Sequence, residues 1–196
     1  MLRSGRLHFW VSGFCFLAVA ILWVSPAAGE RDFGLSIYTG RLTGDNWGKT
    51  ITGRSNFSDT TLVIAGLGWT FKRAQNRSWS LELESNVGKH FGAQDHWEGN
   101  GLVSARWHKF PWNNVVATST AFGTGLSYAT EKPKVEAGDE GTTERLLVYW
   151  QAEFSFGLPR KDWAILFRIH HRSTGFGLLG DDGGSNALLA GVRFFF

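Results

Sequence analysis

From Trp79 onward the side chains alternate in character: Trp79, Leu81, Leu83, Ser85 and Val87 form one row, and Ser80, Glu82, Glu84, Asn86 and Gly88 form the other. A period of two is the period of a β-strand, whose successive side chains point to opposite faces. The pattern recurs. Leu146, Val148, Trp150, Ala152, Phe154 and Phe156 share a face, with Tyr149, Gln151 and Glu153 on the other. Trp163, Ile165, Phe167 and Ile169 oppose Arg168, His170 and Arg172. Leu188, Ala190, Val192, Phe194 and Phe196 share the last row. A chain patterned this way is committed to β-structure with one apolar and one polar face.

Eight such segments are expected, at about 32–42, 60–72, 77–91, 98–109, 114–128, 145–157, 161–172 and 185–196. Their connections alternate in length. Those at 43–59, 129–144 and 173–184 are long and polar or Gly-rich, and 92–97 is shorter. Those at 73–76, 110–113 and 158–160 are tight and carry Asn, Pro or Arg. An even number of strands of roughly ten residues, with short turns at one end and long loops at the other, is the layout of an outer-membrane barrel. Lipid cannot satisfy a sheet edge, so such a sheet must close. The fold expected is therefore all-β: an eight-stranded antiparallel transmembrane β-barrel.

The first 29 residues read differently. Arg3 and Arg6 precede an apolar run from Phe9 to Val24, and Ser25-Pro26-Ala27-Ala28-Gly29 follows. A basic start, an apolar core and small residues describe a secretory signal peptide. The core of 16 residues is short for a helix that needs roughly 20 to span a bilayer. Cleavage is expected after Ala27 or Gly29, leaving 30–196 as one barrel domain, exported to the outer membrane. The only cysteine, Cys15, leaves with the leader, so the mature chain holds no disulfide and needs another source of stability. The net charge falls from +3 to about +1 without Arg3 and Arg6. That balance excludes a basic nucleic-acid surface.

A soluble sandwich or lipocalin-like barrel would alternate too, with its apolar row inside. Three features favour the membrane version. Trp69, Trp79, Trp107, Trp112 and Trp163 fall near the short turns, and Trp47 and Trp97 near the long loops, as aromatic girdles would. The chain ends on Phe196 in an apolar row, resembling the signal read by outer-membrane assembly machinery. The polar rows hold charges of both signs: Glu82, Glu84 and Glu153 can pair with Arg106, Arg168, Arg172 and Arg193. A barrel of this size is filled by its own side chains, so an inward charge must be paired.

The candidate chemistry lies between Phe167 and Asn186. His171 and Ser173 continue the apolar row of the seventh strand, and Asn186 continues that of the eighth. A hairpin joins those strands, so a hydroxyl, an imidazole and an amide meet on the outer wall at the long-loop end. Polar groups facing lipid are costly unless they serve the interface or a function. A Ser within reach of a His is the minimum for nucleophilic acyl transfer, with a third group to hold the ring. Two positions along a strand separate Cα atoms by about 6–7 Å, a gap side chains can bridge. A polar rim ending the lipid band is the plainer reading of the same residues. His170 is expected to point inward with Arg168 and Arg172. The pair Glu82 and Glu84 reads as an interior ion-pair site, not an acid–base dyad. His90, His96 and His108 show no metal-ligand spacing, so neither a metal site nor a cofactor is expected. The loop at 129–144, with Glu131, Glu136, Asp139, Glu140 and Glu144, reads as solvated, though it could take divalent ions or a partner.

The last quarter of the chain resembles the lipid A 3-O-deacylase family, the PagL-type acyl hydrolases. The resemblance covers the strand count, the terminal strand and His171-Arg172-Ser173. It implies a carboxylic ester hydrolase with lipid A or lipopolysaccharide as substrate and outer-membrane lipids around it. Ser173 would be the nucleophile and His171 the base, and the 3-hydroxyacyl ester of lipid A would be cut. The chain departs from the family twice. Thr174 follows the Ser where the family often has Asn, and the orienting acid position falls on Asn186. Asp181 or Asp182 could supply a charge instead, and Gly183-Gly184 would let the loop bend tightly. The alternative is a non-catalytic small barrel acting in adhesion, lipopolysaccharide binding or envelope stability. A homodimer and a monomer fit the sequence equally.

Overall fold

The computed structural model describes residues 31–52, 54–137 and 142–196. The leader expected over residues 1–29 lies outside the described residues, as do Asp139 and Glu140. Eight strands run in chain order: β1 (Phe33–Thr43), β2 (Thr60–Arg73), β3 (Trp79–Gly92), β4 (Trp97–Trp107), β5 (Ala117–Ala129), β6 (Leu146–Gly157), β7 (Trp163–Ser173) and β8 (Gly184–Phe195). Each pairs antiparallel with its neighbour, and β1 pairs with β8, closing the barrel. Two short helices interrupt long loops: α1 (Trp47–Ile51) between β1 and β2, and α2 (Lys134–Ala137) between β5 and β6. Every expected strand is present, with ends within three residues of those read from the periodicity.

The two rows separate as a membrane barrel requires. Ile37, Leu83, Val87, Phe122, Phe154 and Phe167 stand exposed on the outer wall, and Glu84, Glu153, Arg168 and Arg193 are buried inside. A continuous apolar exterior far exceeds the patches that soluble monomers expose, and only lipid suits it. The barrel is of the outer-membrane type. Trp69, Trp97, Trp107, Trp112 and Trp163 are all outward and exposed.

The interior holds three layers. Toward the short turns, Glu82, Glu84 and Glu153 meet Arg106, Arg168 and Arg193, three charges of each sign. Beside them lies a small apolar cluster of Tyr38, Leu42, Leu62, Ile64, Leu166 and Leu189. Toward the long loops, Arg172 departs from the expected pairing: its partner is Glu136 of α2, at 2.6 Å, with Glu98 at 3.8 Å. The loop at 129–144 is therefore not simply solvated. Glu136 is buried and also accepts from Ser185 at 2.9 Å, so α2 plugs the barrel mouth. Burial pushes the Glu136 carboxyl upward while Arg172 pulls against it.

Glycine is required where β1 meets β8. A Cβ on Gly40 would lie 1.8 Å from the Leu188 carbonyl oxygen. Gly40→Ala must push two paired strands apart. It is expected to cost about 1–3 kcal/mol, the usual penalty of overpacking, read as a lowered urea midpoint of the barrel in lipid vesicles.

Candidate active site

The register of three strands assembles the site. His171 pairs with Asn186 across β7 and β8, and with Trp150 across β6 and β7. Ser173 pairs with Gly184, and Thr43 of β1 pairs with Asn186. That last pairing brings the β1–β2 loop against Asn186. Asn186 belongs to the lipid-facing row, yet it is 3% exposed, because this loop shelters it.

A chain of hydrogen bonds sets the state of His171. Asn186 Nδ2 donates to the Asp45 carbonyl at 2.7 Å. A carbonyl can only accept, so the nitrogen of the Asn186 amide must face Asp45 and its oxygen must face His171. That oxygen lies 2.8 Å from His171 Nδ1. It too can only accept, so Nδ1 carries the proton and Nε2 keeps its lone pair. The ring is further held by Trp150, whose centroid is 4.6 Å away at 32°.

Asp45 is itself fixed. Its amide donates to Thr43 Oγ1 at 3.0 Å, and its carboxylate accepts from Lys49 Nζ at 2.9 Å and from the Asn56 amide at 2.8 Å. Lys49 and the Asn56 amide hold that carboxyl below its ordinary range. The first turn of α1 is capped by Asn46, which accepts from the Lys49 amide at 3.0 Å. The loop thus presents its Asp45 carbonyl from a braced position.

Ser173 lies two residues along β7 from His171, and its hydroxyl makes no hydrogen bond among the described residues. Both line a cavity of about 370 Å³ shared with Asp45, Glu136, Asp182 and Asn186. Asp182 reaches the cavity, but the acceptor at His171 Nδ1 is Asn186, not Asp181 or Asp182. Gly183 adopts φ 111°, and a Cβ there would meet Thr143 Oγ1 at 2.5 Å, so this bend needs glycine. The β7–β8 loop carries Phe176, 110% exposed, and Leu178, 75% exposed, beside the site.

The structure brings together all three residues singled out in the sequence, joining His171 to Asn186 directly and leaving Ser173 alongside. Trp150 and Asp45 were missed. Trp150 sat in a recognised lipid-facing row, and the β6–β7 register would have found it. Asp45 acts through its backbone carbonyl, which leaves no mark in a sequence. His170 points inward as expected, with Nε2 2.9 Å from Glu98 Oε1.

No family model matches the chain, and no curated protein sequence matches it. Among solved structures it is similar to the outer membrane enzyme PagL, with a TM-score of 0.62 and 11% identity over 82% of this chain and 98% of that one. A de novo designed transmembrane β-barrel is similar at a TM-score of 0.50 and 9% identity, covering 86% and 98%. The N-terminal β-barrel domain of Pseudomonas aeruginosa OprF is similar at 0.50 and 12%, covering 86% and 99%. These likenesses show the fold: an eight-stranded barrel of the outer-membrane type.

Proposed function

We propose that this chain is an outer-membrane esterase that removes an ester-linked hydroxyacyl chain from lipid A, reached by export through the leader at 1–29. Ser173 is the nucleophile, His171 the general base and then acid, and Asn186 the group that orients His171. The observation that carries this reading is the chain from the Asp45 carbonyl through Asn186 to His171, built on lipid-facing rows beside a serine. A polar rim would need no fixed tautomer. A nucleophilic serine needs one, with Nε2 free to accept its proton.

In the reaction, Ser173 Oγ attacks the ester carbonyl as its proton passes to His171 Nε2. The tetrahedral intermediate collapses, the sugar oxygen leaves with that proton, and the acyl group stays on Ser173. Water, deprotonated by His171, then releases the hydroxy acid and restores the serine. Rotation about the Ser173 Cα–Cβ bond is the movement available to close the serine–histidine contact, and such contacts are often open before substrate binds. The step asks for no cofactor. A site on the outer wall suits a substrate that arrives sideways within the leaflet, and exposed Phe176 and Leu178 offer acyl chains an apolar neighbour.

The test is mass spectrometry of lipid A from cells making the protein or its Ser173→Ala variant. Loss of one hydroxyacyl chain with the former alone supports the esterase. Unchanged lipid A with both, while the barrel is inserted, leaves the non-catalytic barrel as the better reading.

Asn186 offers a finer test. Asn186→Ala removes one bond to an imidazole that becomes charged in the transition state. It is expected to lower kcat by about 10- to 100-fold, the worth of a hydrogen bond to a charged group, with KM little changed. Asn186→Asp keeps an acceptor at Nδ1 and is expected to retain more activity than the alanine variant.

A further inference from the structure

The two buried charge clusters differ in their balance. The lower one matches three carboxylates with three guanidiniums. The upper one sets Glu98 and Glu136 against Arg172 alone. With both carboxylates ionised, this second set is short of one positive charge, and a buried uncompensated charge is costly.

Around Glu98 stand three imidazoles. His90 Nε2 lies 2.9 Å from Glu98 Oε2. His170 Nε2 lies 2.9 Å from Oε1, at an angle too oblique for a hydrogen bond. The His96 ring stacks on His90 with centroids 4.1 Å apart, and its Nε2 is buried with no hydrogen-bond partner among the described residues. Ligand atoms of His90, His96 and Glu98 all fall within 4.8 Å of one another. All three residues are at least 97% buried. His90 lies near the end of β3, Glu98 near the start of β4 and His96 in the turn between them, so one hairpin supplies the set.

We infer that His90, His96 and Glu98 form a binding site for a divalent transition-metal ion of the zinc class. Two imidazoles and a carboxylate are a donor set that zinc accepts. The ion's two positive charges would more than offset the deficit of one, and His96 Nε2 would gain a partner. Arg172, 3.8 Å from Glu98 Oε2, would steady the carboxylate from behind, as outer partners of a metal ligand do.

Loading has a structural consequence. Gln94 now gives Nε2 to His90 Nδ1 at 3.0 Å and receives the Val135 amide on Oε1 at 3.1 Å. Metal on His90 Nε2 leaves the proton on Nδ1, so the Gln94 amide must turn its oxygen there and release Val135. Metal binding therefore loosens α2 from the barrel mouth.

The test uses the untagged, folded full chain in detergent micelles, titrated with zinc(II), with cobalt(II) as a spectroscopic stand-in. The expected result is one equivalent of zinc, cobalt absorption bands of nitrogen and oxygen coordination, and faster amide exchange at Val135. His96→Ala removes a nitrogen that bonds to nothing among the described residues, together with the ring stacked on His90, and gel mobility and circular dichroism check that the barrel stays folded. It is expected to weaken zinc binding by more than about tenfold, the least that loss of even an outer partner costs. Failure of the folded native chain to take up zinc would overturn the site and leave a shared proton as the missing charge. Zinc uptake unchanged by His96→Ala would overturn it equally.

Discussion

Glu153→Gln is expected to destabilise the barrel by about 3–5 kcal/mol, the cost of breaking a buried ion pair from one side. Glu153 is fully buried and touches more of the lower cluster than any single partner explains. It accepts from Tyr38 Oη at 2.7 Å, from Arg106 Nη2 at 2.7 Å and from Arg168 at 2.9 and 2.5 Å. Glutamine keeps the shape but removes the charge, leaving three guanidiniums against two carboxylates in a space without bulk water. It also turns an amide donor toward groups that only donate. The exposed acid Glu131 is the control: Glu131→Gln is expected to change stability by less than about 0.5 kcal/mol. Adding Arg168→Met to Glu153→Gln restores the balance at two against two and is expected to recover part of the loss, since apolar replacements of buried ion sets are often tolerated. Urea unfolding in lipid vesicles reads all three. A loss below about 1 kcal/mol for Glu153→Gln, the scale of an ordinary neutral hydrogen bond, would mean that water reaches the cluster and the pairing is not what stabilises the interior.

That network marks the boundary of what a sequence reveals. The rows through Trp79, Leu146, Trp163 and Leu188 were legible because alternation is local: each strand states its own two faces. The sign of the charges inside was legible too, since Glu82, Glu84 and Glu153 sit on polar rows. Their partners were not. Arg172 is on the same row as Arg168, yet it leaves the lower cluster for Glu136, which arrives from a loop 36 residues away. Pairing across a barrel depends on stagger between strands, and no strand encodes its own stagger. The histidines were hidden for a different reason. His90 and His96 are spaced unlike any familiar metal motif, and the β3–β4 turn brings their rings face to face.

The site divides along the same line. His171, Ser173 and Asn186 were found because each is a polar residue on a lipid-facing row, which is a local anomaly. How the Asn186 amide comes to turn its oxygen toward His171 was hidden. The answer lies in barrel closure: β1 pairs with β8, Thr43 meets Asn186, and the Asp45 carbonyl that follows turns the amide the useful way. An aspartate at 186 would set its charge against that carbonyl. In this barrel the amide fits its surroundings better, at the cost of stabilising an imidazolium less than a carboxylate would.

Ser173→Ala is expected to reduce lipid A deacylation by a factor on the order of 10⁴ or more, as removal of a nucleophile does in serine hydrolases. The variant loses one oxygen that bonds to nothing among the described residues, so the barrel and the bond between His171 and Asn186 remain. Stability is therefore expected to stay within about 0.5 kcal/mol of the native chain, which separates a chemical loss from a folding loss. His171→Ala is expected to cost as much as Ser173→Ala, and the double variant little more than either, because the two act as one unit. The readout is the release of 3-hydroxy acid from purified lipopolysaccharide in mixed micelles, with lipid A mass confirming which chain has gone. Independent losses that multiply in the double variant would sink the nucleophile assignment even if the enzyme is active. In that case His171 would have to activate water directly, and Ser173 would do no more than line the cavity.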